Sequence, residues 1–306
     1  MTGSRSASVP DVTNGIVPDM FVGPRRLRRF LPLLRRLPAS MTSELLAGAA
    51  VCQGLVDFER YRRTLAWATA HGARGTARWR LALAVLANHG RFVAQEAMLG
   101  VSDLHDLRRG VVVEGTEHLR AAEGGALLLG FHLGPPRTSF VLRALGYPVH
   151  FAGRLEAARD DPRWNAPLAA ADVVRLPSGT MSGRAKGLYR IRNLLREGAL
   201  VYLTADGPFG REAFRLTVPG GSIAVRAGWL AVRRHTRVPT LPVLTYRDRG
   251  QRVILIHAPL PPPDEDAERD TAACRDVLGP LIDAYVRRFP SQCRYVVRPP
   301  WSETDA

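Results

Sequence analysis

The sequence predicts an α/β protein with a mixed, mostly parallel sheet flanked by helices and preceded by an N-terminal helical layer. Two observations lead to this class. From Val111 onward, short apolar runs of strand length alternate with segments of helical periodicity, which is the pattern of a sheet covered by helices on both faces. Before Val111 the chain instead carries long Ala- and Leu-rich patterns of helical spacing.

The first residues of the chain are predicted to be a tail followed by a basic amphipathic segment. Residues 1–22 are small and polar, a composition typical of disorder. Residues 24–38 place Leu and Phe on one stripe of a helix and Arg on the opposite one, although Pro32 weakens the helix. This segment suits the interface of an anionic membrane, or equally a helix packed on the protein's own core with a solvated basic face.

Two longer helical patterns complete the N-terminal layer, over 43–70 and 76–99. We expect residues 23–100 to form one globular unit with an α/β core over 101–301, because no convincing domain linker separates them.

The α/β core is predicted to contain seven strands and four helices. The strands are 111–114, 125–132, 147–153, 172–176, 198–206, 240–246 and 252–258. The helices are 136–145, 182–197, 222–235 and 267–288. Functional groups of such sheets are delivered at the carboxyl ends of the strands, where the loops open on a crevice.

The charge of the chain indicates an anionic partner. The formal net charge is +15, and of 43 basic residues only Lys186 is a lysine. An Arg bias of this kind also reflects a GC-rich genome, so charge alone is a weak indicator of function. Nucleic-acid binding is not expected, because the aromatic and basic stacking strips of such surfaces are absent from the sequence.

Other features of the composition limit the class of protein. Three scattered cysteines favour neither a disulfide framework nor a zinc site and fit a reducing cytoplasm. No apolar run reaches the roughly 18 residues of a membrane span, and the N-terminus lacks the apolar core of a signal peptide. We expect a cytoplasmic protein, either free or peripheral on the inner face of the plasma membrane.

One histidine lies where a parallel sheet presents functional groups. In "LLLGFHLGPPR", an apolar strand ends at His132, and Gly134 and two prolines follow. Gly134 lets the backbone pass close to a ligand, and amides near it could stabilise an oxyanion. A histidine there can act as a general base on a hydroxyl or amine, although a structural role is the commoner one.

Several blocks of the sequence resemble the lysophospholipid acyltransferase superfamily, and most closely its late lipid A and phosphatidylinositol mannoside acyltransferase branch. "GTEHLRAAEGGALLLGFHLGPPRTSFVLRALGYPVHFAGR" resembles the first blocks, with a strand ending in His132 and a second strand followed by Arg154. "LREGALVYLTADGPFG" resembles the third, with Asp206 and Gly207 after a strand. "VPGGSIAVRAGWLAVRRHTRVPTLPV" and "RRFPSQCRYVVRPPW" resemble the later block and the tail.

The chain departs from the superfamily's first motif, in which an acidic residue follows the histidine after four others. Arg137 stands at that position. Another carboxylate, such as Asp206 or Glu114, could orient the histidine instead. Alternatively, Arg137 binds an anionic group of the substrate, or the protein has lost catalysis and only binds a lipid or acyl carrier.

The resemblance implies the remaining assignments. His132 would be the general base and Asp206 a second catalytic residue, while Gly134, Arg137, Arg154 and Gly207 would bind substrate. The donor would be acyl-CoA or an acyl carrier protein. The acceptor would be a hydroxyl or amine of a lipid, glycolipid or secondary metabolite. No metal or other cofactor is expected.

Overall fold

The computed structural model describes most of the helical layer and of the α/β core. The described residues are 30, 33, 34, 36–98, 108–122, 124–153, 173–175, 181–206 and 211–297. The predicted tail, most of residues 24–38, and Arg154 and Gly207 lie outside them.

The described part of the N-terminal layer contains the helices α1 (Ala39–Val56), α2 (Phe58–Ala70) and α3 (Gly75–Met98). The sequence predicts one helix over 43–70, but the chain breaks at Asp57, whose carboxylate accepts the Arg60 N–H and caps α2. Helices α1 and α3 pack so closely that a Cβ added at Gly90 would stand 2.1 Å from the Leu46 carbonyl oxygen. A glycine is therefore required at this crossing.

Seven strands form the main sheet, which confirms the predicted fold class. They are β1 (Val111–Glu114), β2 (Ala126–Gly130), β3 (Val149–Gly153), β4 (Val173–Arg175), β5 (Leu200–Thr204), β8 (Thr240–Asp248) and β9 (Gln251–Ile256). Their order across the sheet is β1-β9-β8-β2-β5-β3-β4. Only β8 and β9 pair antiparallel; the other neighbours are parallel.

Helices cover both faces of this sheet. They are α4 (Thr116–Arg120), α5 (Thr138–Ala144), α6 (Met181–Arg196), α7 (Gly228–Thr236) and α8 (Ala267–Arg288). Helix α8 has the bounds that the sequence predicts, and the Asp266 carboxylate caps its first turn. After α8, residues 289–297 form two short 3₁₀ turns, and we call these residues the C-terminal segment.

The alternation of side chains along the central strands divides the core in two. Leu127, Leu129 and Phe131 belong to a large cluster. Leu128 and Tyr202 belong to a second cluster on the opposite face, against α5. Because successive side chains of a strand point to opposite faces, the even-numbered positions of β2 and β5 share one face.

The predicted helix over 222–235 is wrong in its first half. Residues Gly221–Arg226 form β7, which pairs antiparallel with β6 (Glu212–Val218), and α7 begins only at Gly228. Ile223 and Val225 are buried β-branched residues at alternate positions, the pattern of a strand. The hairpin reaches the main sheet where the Arg226 N–H donates to the Ala205 carbonyl at 2.7 Å.

Candidate active site

His132 lies two residues beyond the carboxyl end of β2, in a turn that leads to α5. Its neighbours Phe131 and Leu133 are buried in the large cluster. The imidazole is 33% exposed. The ring is therefore neither sealed in the core nor free in solvent, and a ligand can reach it.

Asp206 occupies the equivalent position after β5. Strands β2 and β5 are parallel neighbours, and Gly130 is in register with Thr204. Two residues further along each strand, His132 and Asp206 lie side by side. The side chain of Asp206 is fully buried.

The Asp206 carboxylate holds both the ring and the backbone of His132. One oxygen, Oδ1, lies 2.8 Å from Nδ1 of the imidazole. The other, Oδ2, accepts the backbone N–H of His132 at 2.7 Å. A carboxylate bound at two points in this way fixes the orientation of the ring as well as its position.

The contact with Asp206 assigns the tautomer of His132. An ionised carboxylate only accepts hydrogen bonds, so the proton of the neutral imidazole must be on Nδ1. Nε2 then carries the lone pair. In the part of the chain that the structure describes, Nε2 makes no hydrogen bond, and it is the nitrogen available to a substrate proton.

The alternative carboxylate, Glu114, cannot orient His132. Glu114 ends β1, and β9 and β8 stand between β1 and β2 in the sheet. Of the two candidates that the sequence left open, the structure brings only Asp206 to the histidine.

Gly134 is positioned by the backbone around it, and its role as a substrate contact stays a prediction. Its φ is +66°, and an added Cβ would stand 1.8 Å from the Thr245 carbonyl oxygen. Its N–H already donates to the Gln292 carbonyl at 3.0 Å. In this structure the residue is buried and that N–H is not available to a substrate.

Arg137 stands at the position of the motif acid. Among the described residues, it makes no hydrogen bond to His132 or Asp206. It adopts φ +68° just before α5. Its guanidinium lies 5.7 Å from the centre of the Phe140 ring, the geometry of a cation–π contact. Binding of a substrate anion by Arg137 stays a prediction, as it does for Arg154.

A buried hydroxyl network behind His132 was not predicted from the sequence. The Tyr202 hydroxyl crosses Gly130 so closely that a Cβ there would stand 1.8 Å from it. Burial raises the pKa of Tyr202 well above its usual value. A hydrogen bond with Thr138 lowers the pKa in part, and the negative charge of Asp206 raises it. Thr138 in turn lies 2.7 Å from the Thr245 hydroxyl. Tyr202 is thus a neutral phenol that packs under the site.

The C-terminal segment was also missed as part of the site. Tyr295 is buried. Its ring lies edge-on to the His132 ring, with the two ring centres 6.4 Å apart. Cys293 pairs with Leu133 in an isolated antiparallel bridge. The only advance signal was the similarity of "RRFPSQCRYVVRPPW" to the superfamily's tail, which did not indicate a contact with His132.

The two buried cysteines are not poised to act as nucleophiles. Burial raises the pKa of the Cys293 thiol far above its usual value, and that of Cys274 to about 11. Among the described residues, no group of three or more His, Cys, Asp and Glu side chains is arranged to hold a metal ion.

None of the described helices combines the length and the apolar character needed to cross a bilayer.

Several solved structures are similar in fold to this chain. The fold is similar to the crystal structure of the 1-acyl-sn-glycerophosphate acyltransferase PlsC from Thermotoga maritima, with a TM-score of 0.44 and 17% sequence identity. The match covers 85% of this chain and 97% of that chain. Neither the protein-family models nor the sequences of curated proteins gave a match.

Proposed function

We propose that the protein is an acyltransferase that moves a fatty acyl group from a thioester to a hydroxyl or amine, with His132 as general base. The observation that carries the proposal is the contact of His132 with Asp206 at the carboxyl edge of a parallel sheet, in which the imidazole is 33% exposed and its Nε2 makes no hydrogen bond to a described residue. The order of the sequence blocks supports placing the chain in the lysophospholipid acyltransferase superfamily, near its lipid A and phosphatidylinositol mannoside branch.

The proposed reaction needs one proton acceptor and one leaving thiolate. Nε2 of His132 takes the proton of the acceptor hydroxyl while its oxygen attacks the thioester carbonyl. The C–S bond then breaks, and the departing sulfur receives the proton from the imidazolium. Asp206 stabilises that imidazolium and prevents the ring from turning. The products are an ester, or an amide where the acceptor is an amine, and a free thiol, and no covalent enzyme intermediate forms.

Asp206 favours the enzyme over a non-catalytic binding homologue. The reason to suspect lost catalysis was Arg137 at the position of the motif acid. Asp206 supplies a carboxylate to the same imidazole nitrogen from the neighbouring strand. The donor is proposed to be acyl-CoA or an acyl carrier protein, which are both anionic partners for a chain of net charge +15.

Mass spectrometry of the products tests this function. The purified protein is incubated with a long-chain acyl-CoA and a panel of lysolipids and glycolipids, and a new ester and free thiol are measured. The variant His132→Ala should lower the rate about 10²- to 10⁴-fold. His235→Ala, which removes an exposed histidine on α7, is the matched control and should leave it unchanged. Equal rates in the wild type and His132→Ala would remove the proposed base.

The acceptor is proposed to be reached at a membrane surface, with the protein peripheral on the inner face of the plasma membrane. Helix α1 is apolar on two sides: Leu46, Ala47 and Ala50 are buried in the core. Its outer side exposes large apolar residues, and these continue into the residues before it and into α2. They are Phe30, Leu33, Met41, Leu45, Leu55, Val56 and Phe58. An apolar surface of this extent beside exposed arginines is suited to an anionic bilayer.

Vesicle sedimentation tests the membrane contact separately from catalysis. The double variant Leu45→Asp/Leu55→Asp should lose binding to anionic vesicles, because both side chains are half exposed on the outer side of α1. Deleting residues 1–38 tests the predicted basic segment. Undiminished binding of both variants would exclude this surface.

A further inference from the structure

Strand β8 extends beyond its partner β2 and leaves a stretch of its edge without a strand. The pairing of the two strands ends at Gly130 and Val243, whereas β8 continues to Asp248. Backbone groups on a buried strand edge need other hydrogen-bond partners. The turn that carries His132 and the C-terminal segment meet at this edge.

Gln292 supplies those partners with its side chain. Its Oε1 accepts the Arg247 N–H at 2.8 Å, and its Nε2 donates to the Arg247 carbonyl at 2.8 Å. The amide therefore binds β8 as a neighbouring strand would. Gln292 is 8% exposed, so these bonds are shielded from water.

The backbone of the same residue holds the His132 turn. The Gln292 carbonyl accepts the Gly134 N–H at 3.0 Å, and the adjacent Cys293 pairs with Leu133. Gly134 in turn lies against the Thr245 carbonyl oxygen, which also accepts the Tyr285 hydroxyl at 2.7 Å. Gln292 thus connects β8 to the residues that follow His132.

The C-terminal segment is attached to the helical layer on its other side. The Asn88 amide donates to the Ser291 carbonyl at 3.0 Å, and Trp67 Nε1 donates to the Pro290 carbonyl at 2.9 Å. These bonds hold the segment in place but do not touch the turn. They provide a comparison for the bonds of Gln292.

We infer that Gln292 is a positioning residue for His132, which clamps the turn from the side opposite Asp206. The inference rests on the proposed function for its kinetic consequence, but its geometric claim is independent of it. Asp206 fixes His132 itself, and Gln292 fixes the backbone two residues later. Without the second clamp the contact with Asp206 would remain, but the backbone after His132 would be held less firmly, so the turn and the imidazole would occupy the productive position less often.

The kinetic test compares Gln292→Met with Asn88→Ala. Gln292→Met keeps the size of the side chain and removes both bonds to Arg247, so kcat should fall about 10- to 100-fold, the effect of a small misplacement of a catalytic group. KM for the thioester should stay within about twofold, because the binding groups are retained. Asn88→Ala should lower the melting temperature with kcat unchanged. Equal kcat values per folded molecule in the two variants would overturn the inference.

A second measurement does not depend on turnover. Hydrogen exchange of the Gly134 amide should become about tenfold faster in Gln292→Met than in wild type, because the bond to the Gln292 carbonyl opens more often. Modification of His132 by diethyl pyrocarbonate should also become faster. Unchanged rates of both would overturn the positioning role even if the wild type proves to have no transferase activity, whereas changed rates with no transfer would leave it standing and refute only the proposed function.

If Gln292→Met does not fold, Gln292→Glu replaces it in both tests. This variant keeps an oxygen for the Arg247 N–H and removes the donor to the Arg247 carbonyl. The same fall in kcat and rise in exchange are expected, and their absence contradicts the inference in the same way.

Discussion

Among the described residues, two buried aspartates, Asp270 and Asp206, each pair with a basic group, and the two pairs differ in what the basic group can do. Asp270 lies between Arg233 and Arg234, with Arg233 Nη2 at 3.4 Å from Oδ1. Arg233 and Asp270 are each 1% exposed. The same guanidinium donates to the Pro261 carbonyl and to Cys274 Sγ. This cluster joins α7 to α8, and its groups face one another rather than solvent.

The pair of Asp206 and His132 differs in the second partner and not in the carboxylate. Asp206 is as deeply buried as Asp270, but the imidazole it holds is 33% exposed, and its Nε2 makes no hydrogen bond to a described residue. A histidine can exchange a proton near neutral pH, whereas an arginine cannot. Burial of the carboxylate therefore does not distinguish a candidate active site from a structural ion pair. The distinguishing feature is a partly exposed partner with a nitrogen that can accept a proton and makes no other hydrogen bond.

The largest effect is expected from Asp206→Asn. The amide can no longer accept the Nδ1 proton with a full charge and can impose the other tautomer, so kcat should fall about 10²- to 10⁴-fold. The free energy of unfolding should fall by no more than about 1–3 kcal/mol, the cost of a weakened hydrogen bond to a charged group. Both are measured on one preparation, by thiol release and urea denaturation. A variant with wild-type kcat would make this pair structural, like that of Asp270.

Asp270→Ala should produce the opposite result. It leaves the buried Arg233 without its carboxylate, and breaking a buried pair from one side costs about 3–5 kcal/mol of stability. Urea unfolding should show this loss. Transfer per folded molecule should be unchanged, since this cluster lies outside the His132 turn; a fall in kcat as large as that of Asp206→Asn would show that the two pairs are coupled.

Gly130→Ala tests the packing beneath the site. The new methyl group would meet the Tyr202 hydroxyl at 1.8 Å, and both residues lie in the core of the sheet. We expect a loss of about 1–3 kcal/mol in the free energy of unfolding, the usual cost of overpacking. Gly228→Ala, where the same atom meets nothing within 4 Å, is the control. Equal melting temperatures of the two variants would contradict the described position of Tyr202.

The smallest effect is expected from Arg137→Glu, which restores an acid at the spacing of the superfamily's motif. Because Asp206 already holds Nδ1, the change should alter kcat by less than about threefold, as for a residue that makes no bond to the reacting groups. Introduced into Asp206→Asn, it should not restore activity. Rescue of that variant would show that the acid at 137 can reach the ring after all.

The sequence predicted strands and their ends better than the contacts between distant segments. The seven strands of the main sheet were predicted because each is a short apolar run, and His132 and Asp206 were found because both directly follow one. That the two meet could not be read from local patterns, since it depends on β2 and β5 being neighbours in register. The β6–β7 hairpin was missed because its small residues also fit a helix. Gln292 was missed because a polar residue after a helix gives no signal of a long-range clamp.

The position of one proton tests the central claim most directly. A long-range ¹H–¹⁵N spectrum of the histidine-labelled wild-type protein at neutral pH distinguishes the two tautomers of His132. With Asp206 accepting from Nδ1, the proton should be found on Nδ1 and the lone pair on Nε2. A proton on Nε2 would leave that nitrogen unable to act as a base, and would contradict the account.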